Sequence, residues 1–421
     1  MLSQSLLNLV DTAMVGRLGE TALAGVGLGG YASYVASSWI MGTGAAVQAM
    51  IARRAGEQHM TQIAQPLNAA LLATLLLATP VMLMLWTASP LFMALLTQDP
   101  EVRQQAGLYF SARVLGMVAI GWNFSFRGYW NGTGHSHVYM GVLVFMHLCN
   151  VLISYSLIFG KFGLPELGVQ GAGIGTTVSL YLGSLLYARL TWRDRPDYGF
   201  LRHFPGMESY KSLLRLSIPN GIQQLSFAAG FAVFFALIAR IGSAEVAVAH
   251  ILTTLALFMI LPGIGLGMAA ATLAGKSLGN KAYAEAHRWG WEVVCITLLM
   301  LAILGTPLWI MPDAVIHVFT DRPHLVDMAH LPLQLTALWI CLDAMGIVLM
   351  QALLGVGASR TVMLVSVVTQ WGLLLPIVWF AVTFLDVGLL FVWASFGIQR
   401  ALNSMIFGWI WFRQRWLQIQ L

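Results

Sequence analysis

Apolar residues fill twelve long blocks, at roughly 2–16, 22–50, 64–97, 105–130, 138–160, 168–190, 212–239, 246–274, 289–311, 328–354, 361–385 and 387–412. Most match or exceed the ~20 residues that a helix needs to cross the hydrocarbon core of a bilayer. The longer ones predict tilt, kinks or extension past the membrane. Nearly every face of each block is apolar, so periodicity does not separate lipid-facing from protein-facing sides. Membrane β-strands would show short alternating segments instead. The pattern predicts an all-α integral membrane protein with twelve transmembrane helices.

The polar breaks carry the orientation. Fifteen of the 22 Lys and Arg residues lie in or beside the even-numbered loops and the C-terminus. The odd-numbered loops hold five, and Arg113 and Arg400 lie within spans. The basic side is expected to be cytoplasmic, with both termini there.

The breaks also expose an internal repeat. At a constant shift of 223 positions, Arg17 meets Arg240, Gly42 and Gly44 meet Gly265 and Gly267, and Gly132, Gly134 and Ser136 meet Gly355, Gly357 and Ser359. Each half then holds six spans, and an even number makes the repeats parallel. The expected organisation is an N-lobe over 1–191, a cytoplasmic linker over 192–211 and a C-lobe over 212–421. The linker has seven charges in twenty residues. Under this shift the counterpart of the seventh span begins eleven residues before Met1, so the first helix is expected to be truncated.

Composition agrees with the pattern. Of 421 residues 58% are hydrophobic and 9% charged, and mean hydropathy is strongly positive. Soluble domains carry about 25% charged residues, so a cytosolic enzyme and a disordered chain are both excluded. The net charge of +5 comes from short loops and is not a nucleic-acid signal. Cys149, Cys295 and Cys341 are far apart within apolar runs and fit neither a metal spacing nor a disulfide framework. His135 and His137 form an H-x-H in a loop, read as solvated, so no metal site is expected. There is no P-loop, H-E-x-x-H or G-x-S-x-G motif. The chain is expected not to be an enzyme and to need no cofactor.

Two acids stand inside spans. Asp11 lies in LSQSLLNLVDTAMVG, and Asp343 lies about twelve residues from either end of its apolar run. An intramembrane carboxylate marks an ion pathway by default, the alternative being a protonated carboxyl bonded to a neighbouring helix. The repeat matches neither: Phe234 stands opposite Asp11, and Ile120 opposite Asp343. Oxygen donors in apolar surroundings are Asn8, Thr12, Asn123, Asn150, Ser154, Thr176 and Thr177. Asn150 and Ser154 share one helix face. Singly, each fits a helix–helix hydrogen bond better than a ligand role. Gln223 and Gln224 follow Pro219, where a kink could free backbone carbonyls, though packing would also explain them. Tyr31, Tyr34, Trp39, Trp122 and Phe126 lie deep enough to form aromatic walls for a lipophilic cation, or simply to pack. Arg113 is read as structural, pairing with a carboxylate or snorkelling.

The segments VDTAMVGRLGETALAGVGLG, NVLISYSLIFGKFGLPELGVQGAGIGTTVS, AGKSLGN and LDAMGIVLMQALLGVGASRT resemble the multidrug and toxic compound extrusion (MATE) family, closest to its DinF-type bacterial branch. The resemblance covers essentially the whole chain. It implies two six-helix lobes around an outward-opening cleft. It also implies H⁺- or Na⁺-coupled export of amphipathic, often cationic compounds, by a protein expected to act as a monomer in the lipid bilayer. Asp11 resembles the family's first-span acid, Asp343 its tenth-span acid, Asn150 its fifth-span Asn and Thr176 its sixth-span Thr. Two departures stand out. Ser154 occupies a position where the DinF-type branch has Asp, and GIQQLSFAAG lacks the seventh-span Glu of NorM-type members. A flippase for lipid-linked precursors is a rival on a related fold, but its cavity would need several deep basic residues. A membrane scaffold is a further rival, disfavoured by the internal repeat.

Overall fold

In a computed structural model the described residues are 10–194, 196–202, 205–385 and 387–419; among them the chain is helical and has no strand. Helix α1 covers 10–16 and α2 covers Glu20–Gly56. The third block splits into α3 (Gln65–Thr87) and α4 (Ser89–Leu96), where Pro90 cannot donate to a continuing helix. The fourth splits into α5 (Pro100–Val114) and α6 (Met117–Gly132) at Leu115 and Gly116. Then follow α7 (Ser136–Phe159), α8 (Gly168–Asp194), α9 (Met207–Ile238) and α10 (Ser243–Gly279). After α11 (Tyr283–Ile310), a short α12 (Pro312–His317) leads into α13 (Pro323–Gly355). The eleventh block is α14 (Ser359–Val367), a π-helical segment (Val368–Leu374) and α15 (Leu375–Phe384). The last is α16 (Leu389–Phe412). Eight of these helical runs are long and apolar enough to cross a membrane, and α2 and α13 are the most buried of the eight.

The repeat is visible in the helix boundaries. Both α2 and α10 have 37 residues and start 223 positions apart. The same shift carries Pro100, the start of α5, to Pro323, the start of α13, and Gly132, the end of α6, to Gly355, the end of α13. It also carries the start of α7 to that of α14. The match is not exact, and α7 has no equivalent of the π-helical segment that follows α14. α13 runs unbroken where its counterpart divides, because buried Trp339 stands in place of Gly116.

Two compact units divide the chain, Met1–Gln224 and Leu225–Leu421. The division falls inside α9, beyond the 192–211 segment that the sequence marks as the linker. In unit one, α2 packs closely on the first half of α9. A Cβ on Gly42 would lie 2.9 Å from Gly221 Cα, and Asn220 Nδ2 donates to Gly42 O at 3.4 Å. The linker docks on the same unit. Ala64 N donates to Tyr198 O (3.1 Å), Asn68 Nδ2 to Gly199 O (3.1 Å), and Leu201 N to Asn68 Oδ1 (3.1 Å). In unit two the core gathers Phe234, Leu252, Leu301, Leu333, Ile340 and Trp393 from α9, α10, α11, α13 and α16.

Candidate functional site

Unit one builds a polar centre behind an apolar seal. Val15 and Leu18 pack with Tyr109 of α5, with Ile158 and Phe159 at the end of α7, and with Val169 and Ala172 at the start of α8. Val10 and Met14, on either side of Asp11 in α1, pack on the same cluster, while Asn150 stands eight residues before Ile158 on α7 and Thr176 four after Ala172 on α8. Arg113 is one turn past Tyr109, and its charge acts on both Asp11 and Tyr109.

The hydrogen bonds of this centre are incomplete. Asn150 Nδ2 donates to Thr176 Oγ1 (3.0 Å), which donates to Ala172 O (3.0 Å); Thr177 Oγ1 donates to Ala112 O (2.8 Å). Asp11 Oδ1, Arg113 Nε and Nη1, Asn150 Oδ1 and Ser154 Oγ are buried with no hydrogen-bond partner among the described residues. Each buried unsatisfied polar atom costs about 1–3 kcal/mol. Several of them from three helices of one unit, α1, α5 and α7, call for an explanation beyond packing. Small residues make the approach possible: a Cβ on Gly175 would strike Ser154 Oγ and lie 2.8 Å from Ser154 Cα. Asn8 lies outside the described residues. Thr12 is exposed, and Asn123 instead donates Nδ2 to Leu180 O at 2.9 Å.

Unit two treats its acid differently. Asp343 is buried on α13, and both Nε (2.9 Å) and Nη2 of Arg400 on α16 donate to its Oδ2. Nearby, Thr369 Oγ1 donates to Asn403 Oδ1 (2.8 Å) and accepts from Gln399 Nε2 (3.2 Å). Thr369 belongs to the π-helical segment, a form found mostly as short bulges at functional sites. Asp343 is thus neutralised by a direct ion pair.

The aromatic and amide candidates divide into groups. Tyr31 and Tyr34 are exposed on α2, with ring centroids 6.3 Å apart. Trp39 is half-buried against Ile40 and its neighbours, and Gln223 is buried on α9 with Gln224 half-buried beside it. Trp122 and Phe126 line a side cavity of unit one. There Trp122 Nε1 donates to Leu71 O (3.0 Å), and Phe126 stacks on Tyr187.

Sequence reasoning missed three participants. Arg400 was visible as a cation inside a span, but its partner is 57 positions away on another helix. His147 has a buried Nε2 without a hydrogen-bond partner among the described residues. Its signal was the spacing 147, 150, 154 along one face of α7. Tyr109 left no signal beyond its place in an apolar run.

Comparison with known proteins follows the same lines. The chain is 26% identical over 400 residues to a probable multidrug resistance protein NorM of Thermotoga maritima, covering 93% of this chain and 84% of that one. It is 29% identical over 371 residues to a probable multidrug resistance protein NorM of Pseudomonas aeruginosa, covering 86% and 76%. Among solved structures, a MOP superfamily transporter from Pyrococcus furiosus shares the fold with TM-score 0.90 at 20% identity, over 100% of this chain and 94% of that one. The model of the MatE family matches residues 1–156 and 219–380, two stretches whose ends lie close to one repeat apart. With more than half its length matched in both halves of the repeat, the chain belongs to the MATE family of membrane transporters.

Proposed function

We propose that the protein is a cation-coupled antiporter that exports amphipathic, often cationic compounds, with H⁺ or Na⁺ moving inward in exchange. The observation that carries this reading is the unsaturated polar centre of unit one. A carboxylate with an unbonded oxygen, in a unit that also holds Asn150, Ser154 and Thr176 on α7 and α8, can take up a proton or offer oxygens to a small cation. Asp11 is the coupling acid in this reading, and Asp343, held by Arg400, is a supporting one. Tyr31, Tyr34, Trp39, Gln223 and Gln224 are the proposed substrate contacts, the tyrosines through cation–π attraction. The relatives' names as multidrug resistance proteins support the export reading. Placement in the DinF-type branch rests on the sequence alone. The protein is placed in a bacterial inner membrane as a monomer, with the basic loops and both termini cytoplasmic.

The test uses the purified protein in liposomes. A pH or Na⁺ gradient should drive uptake or release of a cationic dye, and dye addition should move H⁺ or ²²Na⁺ the opposite way. Dye movement indifferent to both gradients, or ion movement in the same direction as dye, overturns the antiport reading.

A further inference from the structure

Unit one carries a cavity of about 410 Å³ that the coupling centre does not use. Its walls come from α3, α6 and α8, and the linker covers one end. The volume falls in the range of small-molecule sites, ~300–1,000 Å³. The lining is aliphatic and aromatic, with Leu71, Leu72, Trp122 and Phe126 among its members. Leu75, Leu185 and Leu201 are exposed parts of the same wall, so the cavity opens sideways.

Its depth is informative. Leu75 lies ten residues inside the start of α3, Trp122 ten before the end of α6, and Ser184 ten before the end of α8. Ten residues are about 15 Å of helix, which is half of a ~30 Å hydrocarbon core. The cavity therefore reaches about 15 Å in from these helix ends, a depth comparable to one leaflet.

Its charge is placed at one end only. Arg202 lines the cavity at the linker, and its side chain makes no ion pair or hydrogen bond among the described residues. Arg189 and Arg193 are exposed on the last turns of α8, beside Ala188 of the lining. Asn68 cannot take over the polar role, because its amide is already bonded to Gly199 and Leu201.

We propose that this cavity binds an anionic phospholipid of the leaflet on the basic side, with an acyl chain between α3, α6 and α8 and the headgroup on Arg202. Its assignment to the cytoplasmic leaflet rests on the orientation given above; the site itself does not. An acyl chain fits an apolar slot of that depth, and a phosphate complements a guanidinium at its mouth. Bound there, the lipid would brace the linker against α3 and α8.

The experiment uses the full chain in phosphatidylcholine bilayers containing a phosphatidylglycerol probe with a diazirine in its acyl chain. Light should label the α3, α6 and α8 segments around residues 71–75, 122–126 and 184–188. Excess unlabelled phosphatidylglycerol should compete, and phosphatidylcholine should not. Arg202→Gln, in an exposed loop, should weaken labelling about fivefold, as expected for loss of one surface cation near anionic lipid. Ala188→Phe should fill the slot and remove the label. Equal labelling by a phosphatidylcholine probe, or unchanged labelling in Arg202→Gln, overturns the proposal. So does competition by an exported cationic dye, which would make the cavity part of the substrate path. Labelling needs no transport, so a protein that labels as described but exports nothing separates this site from the antiport reading.

Discussion

Unit one holds its acid on α1 and its arginine on α5; unit two holds its acid on α13 and its arginine on α16. The helix boundaries superpose at a shift of 223 positions, yet none of the four charges does. Arg113 corresponds to Thr336 and Arg400 to Thr177, while Asp11 and Asp343 face Phe234 and Ile120. Each half has reached one carboxylate and one guanidinium within its apolar blocks by a separate route. In unit two they meet in a direct ion pair. In unit one the carboxylate and guanidinium each keep buried atoms without hydrogen bonds among the described residues. The repeat thus supplies the scaffold, and the chemistry is laid onto each copy separately. A closed pair suits structure, and an open one suits exchange with a mobile ion.

The largest effect expected from this contrast is at Asp11. Asp11→Asn keeps volume and most hydrogen bonding but removes the titratable charge. It should insert at the level of the unaltered protein while gradient-driven dye export falls to that of empty liposomes. Export at the unaltered rate, at matched expression and under a verified gradient, would falsify the coupling assignment.

Asp343→Asn should act through stability instead. It leaves the half-buried Arg400 without its counter-charge, and breaking a fully buried pair on one side costs about 3–5 kcal/mol, an upper bound here. The double change Asp343→Leu with Arg400→Met removes both charges and should recover most of that loss, since apolar replacement of a buried pair is often neutral. Thermal unfolding in detergent checks the difference. If the double variant is as stable as the unaltered protein yet transports nothing, Asp343 is a second coupling acid and the two units are functionally alike.

The sequence made the helical membrane fold legible because an apolar block of ~20 residues has few other uses. It made the repeat legible because Gly, Arg and Ser mark helix ends where chain geometry is strict. It did not reveal the division of α5 from α6, since Leu115 and Gly116 sit inside an otherwise continuous apolar run. The candidate site was half readable. Asp11, Asn150 and Thr176 are polar groups in apolar blocks and attract notice singly. That Asp343 is neutralised could not be read, because pairing across α13 and α16 is tertiary and Arg400 looks the same whether it pairs or snorkels. Trp122 and Phe126 were legible as deep aromatics, but not the cavity they line.

A smaller contrast concerns the glycines that press on each centre. Gly175 abuts Ser154 in unit one, and Gly346 abuts Ser404 in unit two. A Cβ at either would meet the serine hydroxyl, but at Gly175 the backbone is also too near, with Ser154 Cα and N both at 2.8 Å. At Gly346 the nearest backbone atom is Ser404 Cα at 3.1 Å. Overpacking of this kind costs about 1–3 kcal/mol. Gly175→Ala should fall at the upper end and Gly346→Ala at the lower, measured as shifts in unfolding temperature. The reverse order would mean that α7 and α8 separate more easily than α13 and α16.

The smallest expected change in stability is also the sharpest functional comparison. Thr176→Val and Thr369→Val each delete one hydroxyl, half-buried in the first and buried in the second, while keeping its shape. The first removes the bond from Asn150 in unit one, and the second removes the bonds to Asn403 and from Gln399 in unit two. Interhelical side-chain hydrogen bonds in membranes average about 0.6 kcal/mol and reach about 1.7. Both variants should therefore fold, and their unfolding temperatures should fall by similar small amounts. Their transport should differ. Asn150 orients an amide toward an unsaturated centre, so its release in Thr176→Val should shift the pH or Na⁺ concentration that gives half-maximal export. Thr369→Val, in the unit whose acid is already paired, should leave that midpoint in place and alter only the yield of folded protein. Equal midpoint shifts in the two variants would show that the polar network of unit two is coupled to the ion as closely as that of unit one, and the division of labour between the two centres would fail.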